Sequence, residues 1–373
     1  MMSRANDIIN ELTKIAENPG ASIYALKNSG KKLVGVLPVY TPEELIHAAG
    51  AVPVGLWGGN VPIAEARAYL QPFACSIMQS VLELELRGTY DVLDAVVIPS
   101  LCDTLKCMGQ KWKGKCPSIQ FTHPQNRAIE AANTFLVAEY EIVRRRLEEI
   151  LGAKITDDAI AASILVYNAN RRALNAFAEE AAKHPDVITP AIRHDVFKSR
   201  WFMEKEKHTA LVEELTRELA AMPAADWQGM KVILTGITAE PKEMLDIFAE
   251  LGIAVVGDDL AQESRQTRTL VPEEGGAPLY RMAKMWQDIR GCSLAGDFKK
   301  VRGQMLMDMM KAKGADAIVV CMMKFCDPEE FDYAVYNTQF DNAGVKYVMI
   351  EIDQEATAFE QIRTRLQGLA EMV

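Results

Sequence analysis

Along most of the chain, short apolar runs alternate with longer stretches in which apolar residues recur every three or four positions. The short runs are rich in Val, Ile and Leu and have the length of buried strands, whereas the longer stretches have the period of amphipathic helices. The predicted strands fall into two groups, at 33–37, 52–56, 95–98 and 118–121, and at 231–235, 253–256, 317–320 and 347–351. This alternation predicts an α/β fold in which helices cover parallel sheets.

Helices are predicted between these strands and between the two groups. Thr41, followed by Pro42 and two acids, predicts a helix with Thr41 as its N-cap. Further helices are predicted at 5–17, after Pro62, from Cys75 to Leu86, after Cys102, and at 241–251, 298–313 and 329–342. Residues 127–221 keep the helical period without a strand pattern, which indicates a helical connector.

We therefore predict three parts in the chain. An N-terminal α/β lobe with a leading helix spans 1–126, the helical connector spans 127–229, and a C-terminal α/β lobe spans 230–373. Each lobe is expected to be flavodoxin-like or Rossmann-like, with a parallel sheet and a ligand crevice at the carboxyl ends of its strands. A site shared by the two lobes would lie in the cleft between them.

Composition narrows the class of protein. The 373 residues are 49% hydrophobic and carry a formal net charge of −10, and the basic clusters are balanced by nearby acids. This argues against a nucleic-acid partner, because phosphate binding needs a concentrated basic face. The apolar runs are too short to cross a bilayer, and the first residues lack the apolar core of an export signal. Seven cysteines, an odd number, argue against a disulfide framework, so we expect a protein of the reducing cytoplasm without membrane association.

Three cysteine segments carry the best clue to function: Pro-Phe-Ala-Cys75-Ser, Pro-Ser-Leu-Cys102-Asp and Lys-Phe-Cys326-Asp-Pro. Cys102 and Cys326 each follow a predicted strand and precede a predicted helix, which places both thiols at the expected ligand crevice. The three are too far apart in sequence for a zinc ribbon or a thioredoxin-type motif. Three converging thiolates would suit an iron-sulfur cube with one iron left for a non-protein ligand. The alternative is that they are ordinary buried cysteines.

The other candidate segments carry weaker signals. Cys321 lies within an apolar run and is expected in the core, and Cys107, Cys116 and Cys292 remain as further cysteines. The glycine-rich segment at 55–60 lacks the spacing of a dinucleotide-binding loop and is typical of a turn. The segment 257–259 with the following arginines could bind a polar ligand, although ion pairs around a helix cap are the commoner outcome. The five histidines contain no metal-binding pair at helical spacing.

Several segments in the same order carry a family resemblance. They are the stretch at 36–58, the three cysteine segments, His123-Pro-Gln-Asn-Arg127, and Asp258-Asp-Leu-Ala-Gln-Glu-Ser-Arg265. From about residue 33 to the C-terminus, the chain resembles the (R)-2-hydroxyacyl-CoA dehydratase family, and specifically its β subunit.

The resemblance implies an oxygen-sensitive αβ heterodimer with one [4Fe-4S] cluster per subunit, held in this chain by Cys75, Cys102 and Cys326. It implies syn-elimination of water from an (R)-2-hydroxyacyl-CoA to an (E)-2-enoyl-CoA through a ketyl radical. A separate ATP-dependent iron-sulfur activator would supply the electron. In the family the cluster of the homologous α subunit meets the acyl-CoA, so this subunit is expected to relay the electron, and the resemblance assigns it no acid or base.

Three other functions stay open at this point. Within the superfamily, the chain could be a subunit of an ATP-dependent aromatic acyl-CoA reductase or a double-cubane cluster protein, although the Trp-Gly-Gly and Asp-Asp-Leu-Ala-Gln segments favour the dehydratase. In another class, it could be a metal-free two-lobed binding protein. Isocaproyl, phenyllactyl, glutaryl and lactoyl groups all remain possible acyl chains.

Overall fold

The computed structural model of the chain describes residues 2–372 and contains two four-stranded sheets. The strands of the first sheet are β1 (Leu33–Val36), β2 (Val52–Gly55), β3 (Ala95–Pro99) and β4 (Ser118–Phe121). Those of the second are β5 (Lys231–Gly236), β6 (Ala254–Leu260), β7 (Ala317–Met323) and β8 (Tyr347–Ile352). The strand orders are β2-β1-β3-β4 and β6-β5-β7-β8, and every pair is parallel. The predicted two-lobed α/β fold is confirmed.

Fourteen α-helices connect and cover these sheets within residues 2–372. They are α1 (Met2–Glu17), α2 (Pro19–Asn28), α3 (Glu43–Ala48), α4 (Ser76–Leu86), α5 (Asp103–Lys111), α6 (Glu130–Leu151), α7 (Asp157–Ala181), α8 (Pro190–Ser199), α9 (Lys205–Ala220), α10 (Lys242–Glu250), α11 (Pro278–Asp288), α12 (Arg302–Lys313), α13 (Asp327–Ala343) and α14 (Glu360–Met372). No helix in this part of the chain has the length and apolar character needed to cross a membrane.

The central strands are buried on both faces, which explains their unbroken apolar sequences. Every residue of β3 and of β7 is buried, as expected for parallel strands with helices on both sides. In both sheets the chain order reverses beside the first strand, between β1 and β3 and between β5 and β7. Such a reversal opens a crevice at the carboxyl ends of the strands, and this is the usual ligand position in the fold class.

Helices α6 to α9 lie between the two sheets in sequence and form the connector. Two of them begin at predictable caps: Thr156 accepts a hydrogen bond from the Ala159 amide, and Thr189 caps α8 ahead of Pro190. Helix α1 packs on α8 and α9, where its Ile8 joins a core with connector side chains. The leading helix therefore shares a core with the connector. The boundaries predicted at 126 and 229 stay a prediction.

Three predicted helix starts differ from the structure. The helix expected after Pro62 is a single 3₁₀ turn at Ala66–Ala68, because the Ala64 and Ala66 amides donate to the buried Glu83 carboxylate at 3.0 and 2.9 Å. Helix α3 is capped by Pro42, since the Thr41 hydroxyl donates to a carbonyl oxygen of the preceding turn. Helices α2, α11 and α14 were absent from the prediction, and the helix expected at 298–313 begins only at Arg302.

Candidate functional site

Each of the three candidate cysteines is the N-cap of a helix. Cys75 precedes α4, Cys102 precedes α5 and Cys326 precedes α13. All three are half-buried and none forms a disulfide. The first amides of a helix have no partner within the helix, and its N-terminus carries a partial positive charge, so this position stabilises a thiolate or an anionic cluster.

The electrostatic effects on the three thiols indicate that they lie close together. Burial, opposed by the Met78 amide and reinforced by the neighbouring Cys102, raises the pKa of Cys75 to about 12. Burial also raises the pKa of Cys326 well above its usual range, with contributions from Glu329, Cys75 and Cys102. These mutual effects indicate that thiols from both lobes lie near one another.

Cys102 is also influenced by the opposite lobe. Burial raises the pKa of its thiol, amides of the first turn of α5 oppose the shift, and Asp103 and Asp327 raise the pKa further. Asp327 is the first residue of α13 and follows Cys326 directly. The N-termini of α5 and α13 therefore lie near one another.

The arrangement does not match a site for a single metal ion. Within residues 2–372, no three His, Cys, Asp or Glu side chains are close enough to bind one ion together. An iron-sulfur cube attaches each cysteine to a different iron, so its ligands are spread more widely than those of one zinc ion. The three thiols at helix N-termini are the side chains available to hold such a group.

The remaining cysteines lie elsewhere. Cys321 is fully buried in β7, which agrees with its predicted core position. Cys292 is fully buried, and its sulfur accepts a hydrogen bond from the Tyr40 hydroxyl at 3.1 Å. Cys116 is buried near the Trp112 side chain, and Cys107 is half-buried farther along α5.

A hydrogen-bond network links the Cys75 helix to the second lobe. The Ser76 hydroxyl accepts a hydrogen bond from the backbone N–H of Gln354 at 3.1 Å, and the Ser80 hydroxyl donates to the side-chain oxygen of Gln354 at 3.0 Å. The side-chain Nε2 of Gln354 donates to Glu240 at 3.2 Å and to the Trp57 carbonyl oxygen at 2.9 Å. These buried bonds hold the start of α4 against the loop after β8, and they position Cys75 beside the second lobe.

The turn that presents Cys326 is strained. Phe325 has φ +62°, a conformation that costs a residue with a side chain about 1–2 kcal/mol, and its ring is 40% exposed. Phe73, two residues before Cys75, is 64% exposed. An open groove of about 320 Å³ is lined by residues that flank both cysteines, among them Ala74 and Lys324. The sequence reading did not single out these aromatic residues, although each lies within two positions of a candidate cysteine.

A buried ion-pair network supports the Cys326 helix. Glu329, three residues after Cys326, accepts from Arg265 at 2.8 Å and from Arg302 at 2.8 Å. Burial would raise the pKa of Glu329, but the two arginines hold it at about 2. Asp259 accepts from Arg302 at 2.9 Å in the same network. The acids of the segment 257–259 therefore lie inside β6 and form ion pairs, and Asp258 also accepts from the Ser264 amide at the start of a 3₁₀ turn at 3.1 Å.

Comparison with known proteins identifies relatives along the whole chain. The family model described as 2-hydroxyglutaryl-CoA dehydratase, D-component, matches residues 38–373. The lactoyl-CoA dehydratase subunit beta of Anaerotignum propionicum is 55% identical over 100% of both chains. The (R)-phenyllactyl-CoA dehydratase beta subunit of Clostridium sporogenes is 42% identical over 99% of this chain and 100% of the relative. The (R)-2-hydroxyglutaryl-CoA dehydratase, subunit beta, of Acidaminococcus fermentans is 38% identical over 98% of each. The resemblance inferred from the motifs is confirmed.

Proposed function

The chain belongs to the 2-hydroxyglutaryl-CoA dehydratase D-component family, and we propose that it is the β subunit of an (R)-2-hydroxyacyl-CoA dehydratase, a hydro-lyase. The complex would remove water from an (R)-2-hydroxyacyl-CoA to give an (E)-2-enoyl-CoA. The 55% identity to a lactoyl-CoA dehydratase subunit makes lactoyl-CoA the first substrate to test. Phenyllactyl-CoA and 2-hydroxyglutaryl-CoA are the comparison substrates, since relatives with these names are less similar.

The convergence of three helix-capping thiols from two lobes carries the proposal about chemistry. Cys75, Cys102 and Cys326 would bind a [4Fe-4S] cluster and leave one iron for a non-protein ligand. When bound, the cluster would supply one-electron transfer. Amides of the first turn of each helix oppose the rise in pKa of these thiols, so they are placed to stabilise negative charge on ligand sulfur.

The role of this chain would be to hold that cluster and pass an electron to a homologous α subunit, which would bind the acyl-CoA. An ATP-dependent iron-sulfur activator would deliver the electron. The exposed rings of Phe73 and Phe325 flank the cysteines and give the partner an apolar surface at the point of transfer. Because all seven cysteines are free thiols, we place the enzyme in the reducing cytoplasm.

Iron analysis of cysteine variants tests the ligand assignment. The chain, produced and purified without oxygen, should contain about four irons and about four acid-labile sulfides. Cys102→Ser and Cys326→Ser should lose most of this iron. Cys107→Ser is the matched control, because it removes a half-buried thiol from the same helix as Cys102. Equal iron in all three variants would remove the assignment, and an iron-free folded wild type would favour a metal-free binding protein.

Turnover measurements separate a dehydratase from a reductase. The isolated chain should dehydrate no 2-hydroxyacyl-CoA. With α subunit, activator, ATP, Mg²⁺ and a strong reductant it should turn over, and because the electron returns after each elimination, ATP hydrolysed per product should fall well below one. Strictly stoichiometric consumption of reductant would instead indicate a reductase subunit.

A further inference from the structure

A second polar cavity lies away from the three cysteines, between the start of α3, the connector helices and α11. It has a volume of about 30 Å³. One water needs about 10–15 Å³ of such space, so the cavity can hold a group of a few heavy atoms. Its lining includes Glu43, Glu44, Arg171, Arg200 and Lys205. The lining also includes Arg265, whose guanidinium is paired with Asp259 and Glu329, so four cations and two carboxylates line this cavity.

The charges in this cavity do not balance. Arg171 donates to Glu44 at 2.6 Å, and Lys205 donates to Glu43 at 3.2 Å, so these four form two ion pairs. The Arg200 side chain is nearly completely buried, with 4% of the residue exposed. Within residues 2–372 its guanidinium forms no ion pair and no hydrogen bond, and its Nε is fully buried without a partner.

The Arg200 guanidinium stacks on the Trp201 ring, with Cζ 4.0 Å from the ring centroid. Burial lowers the pKa of Arg200 to about 10, Glu43 opposes this shift and Arg171 adds to it. The guanidinium therefore stays charged at neutral pH. A buried charge without a hydrogen-bonded counter-ion is costly and rare, and it marks a place where an anion would be stabilised.

Two further unpaired donors line the same cavity. The Tyr167 hydroxyl and the Trp286 indole N–H are buried and have no hydrogen-bond partner among the described residues. An indole N–H and a guanidinium can only donate, and a tyrosine hydroxyl can donate. One acceptor group with a single negative charge would match all three donors.

We propose that this cavity binds a small monocarboxylate of one to three carbons, with Arg200 as its counter-ion and Tyr167 as a second donor. A carboxylate has the planar two-oxygen geometry that a guanidinium binds best, and its single charge neutralises the single unpaired cation. The bound acid would join the connector to α3 and α11. None of the three candidate cysteines lines this site, and the proposal does not rest on the reaction proposed above.

Binding of acetate and formate to the full-length chain tests the proposal. Sodium acetate or sodium formate should raise the midpoint of thermal unfolding in proportion to the logarithm of its concentration, whereas sodium chloride at equal ionic strength should not. Titration calorimetry should give a dissociation constant that rises at least about tenfold in Arg200→Met, which removes a charge-assisted bond. In Tyr167→Phe it should rise about three- to tenfold, as expected for one neutral hydrogen bond.

The control is Tyr90→Phe, which removes a hydroxyl from another buried tyrosine outside the cavity and should leave the dissociation constant unchanged. Arg200→Met removes an unpaired buried charge, so it should fold, and Tyr167→Phe tests the site if it does not. Absence of acetate and formate binding, an equal effect of chloride, or unchanged affinity in both cavity variants would overturn the proposal. None of these measurements reads iron content or dehydration, so the two proposals can fail separately.

Discussion

His194 should make the stability of this protein depend on pH above neutrality. Its ring is buried in α8, with Nδ1 2.8 Å from Glu263 and Nε2 3.4 Å from Glu240. Burial alone would lower the pKa of His194, but the two carboxylates raise it from 6.5 to about 9. A shift of this size corresponds to about 3 kcal/mol of extra stability for the protonated form.

The direction of the effect follows from the raised pKa. Below about pH 6.5 the imidazolium forms in the folded and unfolded chains alike, and the full contribution of His194 is present. As the pH rises through about 9, the folded chain loses the proton and the contribution disappears. The free energy of unfolding should therefore fall by about 3 kcal/mol across this window because of this one residue.

Urea unfolding of the anaerobic chain from about pH 6 to about pH 9.5 measures this loss, and His194→Gln should remove most of the slope. His208→Gln is the matched control. His208 is equally buried, but burial lowers its pKa to about 3, so above about pH 7.5, where its ring is neutral in the folded and unfolded chains alike, its replacement should cost the same stability at each pH. Parallel pH profiles for the wild type and His194→Gln would refute the reasoning.

Two further predictions concern the backbone near the candidate site. Gly58 has φ +73°, and an added Cβ would lie 1.9 Å from the Ser80 hydroxyl oxygen, so Gly58→Ala should lower the free energy of unfolding in urea by about 1–3 kcal/mol. The control is Gly59→Ala, where an added Cβ would have nothing within 4 Å and should change this free energy by less than about 0.5 kcal/mol; similar losses in both variants would contradict the prediction. Phe325→Gly should relieve the strain of a left-handed backbone conformation and stabilise the isolated chain by about 1 kcal/mol. It should also weaken binding of the α subunit in titration calorimetry, and Phe331→Ala, which changes a residue 78% exposed on α13, is the control. A loss of stability or unchanged binding in Phe325→Gly would count against the prediction.

Local sequence patterns predicted the buried parallel strands and the residues that directly follow them. Parallel strands covered on both faces must be apolar throughout, so β3 and β7 were visible as unbroken runs. The positions of Cys102 and Cys326 followed, because a residue just past a parallel strand lies at the ligand edge of the sheet. The position of Cys75 could not be predicted from a strand pattern, because a long irregular segment separates it from β2. Hydrogen bonds to Glu83 direct the path of that segment.

The carboxylate cavity could not be predicted in this way. Its acids come from α3. Arg171 comes from α7, Arg200 from the segment that joins α8 to α9, Lys205 from the first position of α9, and Trp286 from α11. From its local sequence, each of these charged residues is predicted to be exposed to solvent, because charged residues on helices usually face water. Only the tertiary arrangement shows that Arg200 is buried and that the carboxylates beside it are engaged by Arg171 and Lys205.

The repeated topology of the two lobes accounts for a proposed ligand set of three thiols and not four. In each sheet the third strand in chain order leads to a Cys-Asp pair at a helix start, so Cys102 and Cys326 occupy equivalent positions. Cys75 comes from the segment between the second and third strands of the first lobe. The corresponding segment of the second lobe contains Cys292, but the sulfur of that residue is fully buried against the Tyr40 hydroxyl. Cys102 and Cys326 are therefore counterparts in the two lobes, whereas Cys75 has no counterpart at the cleft. The proposed cube would thus have three cysteine ligands and one iron without a cysteine.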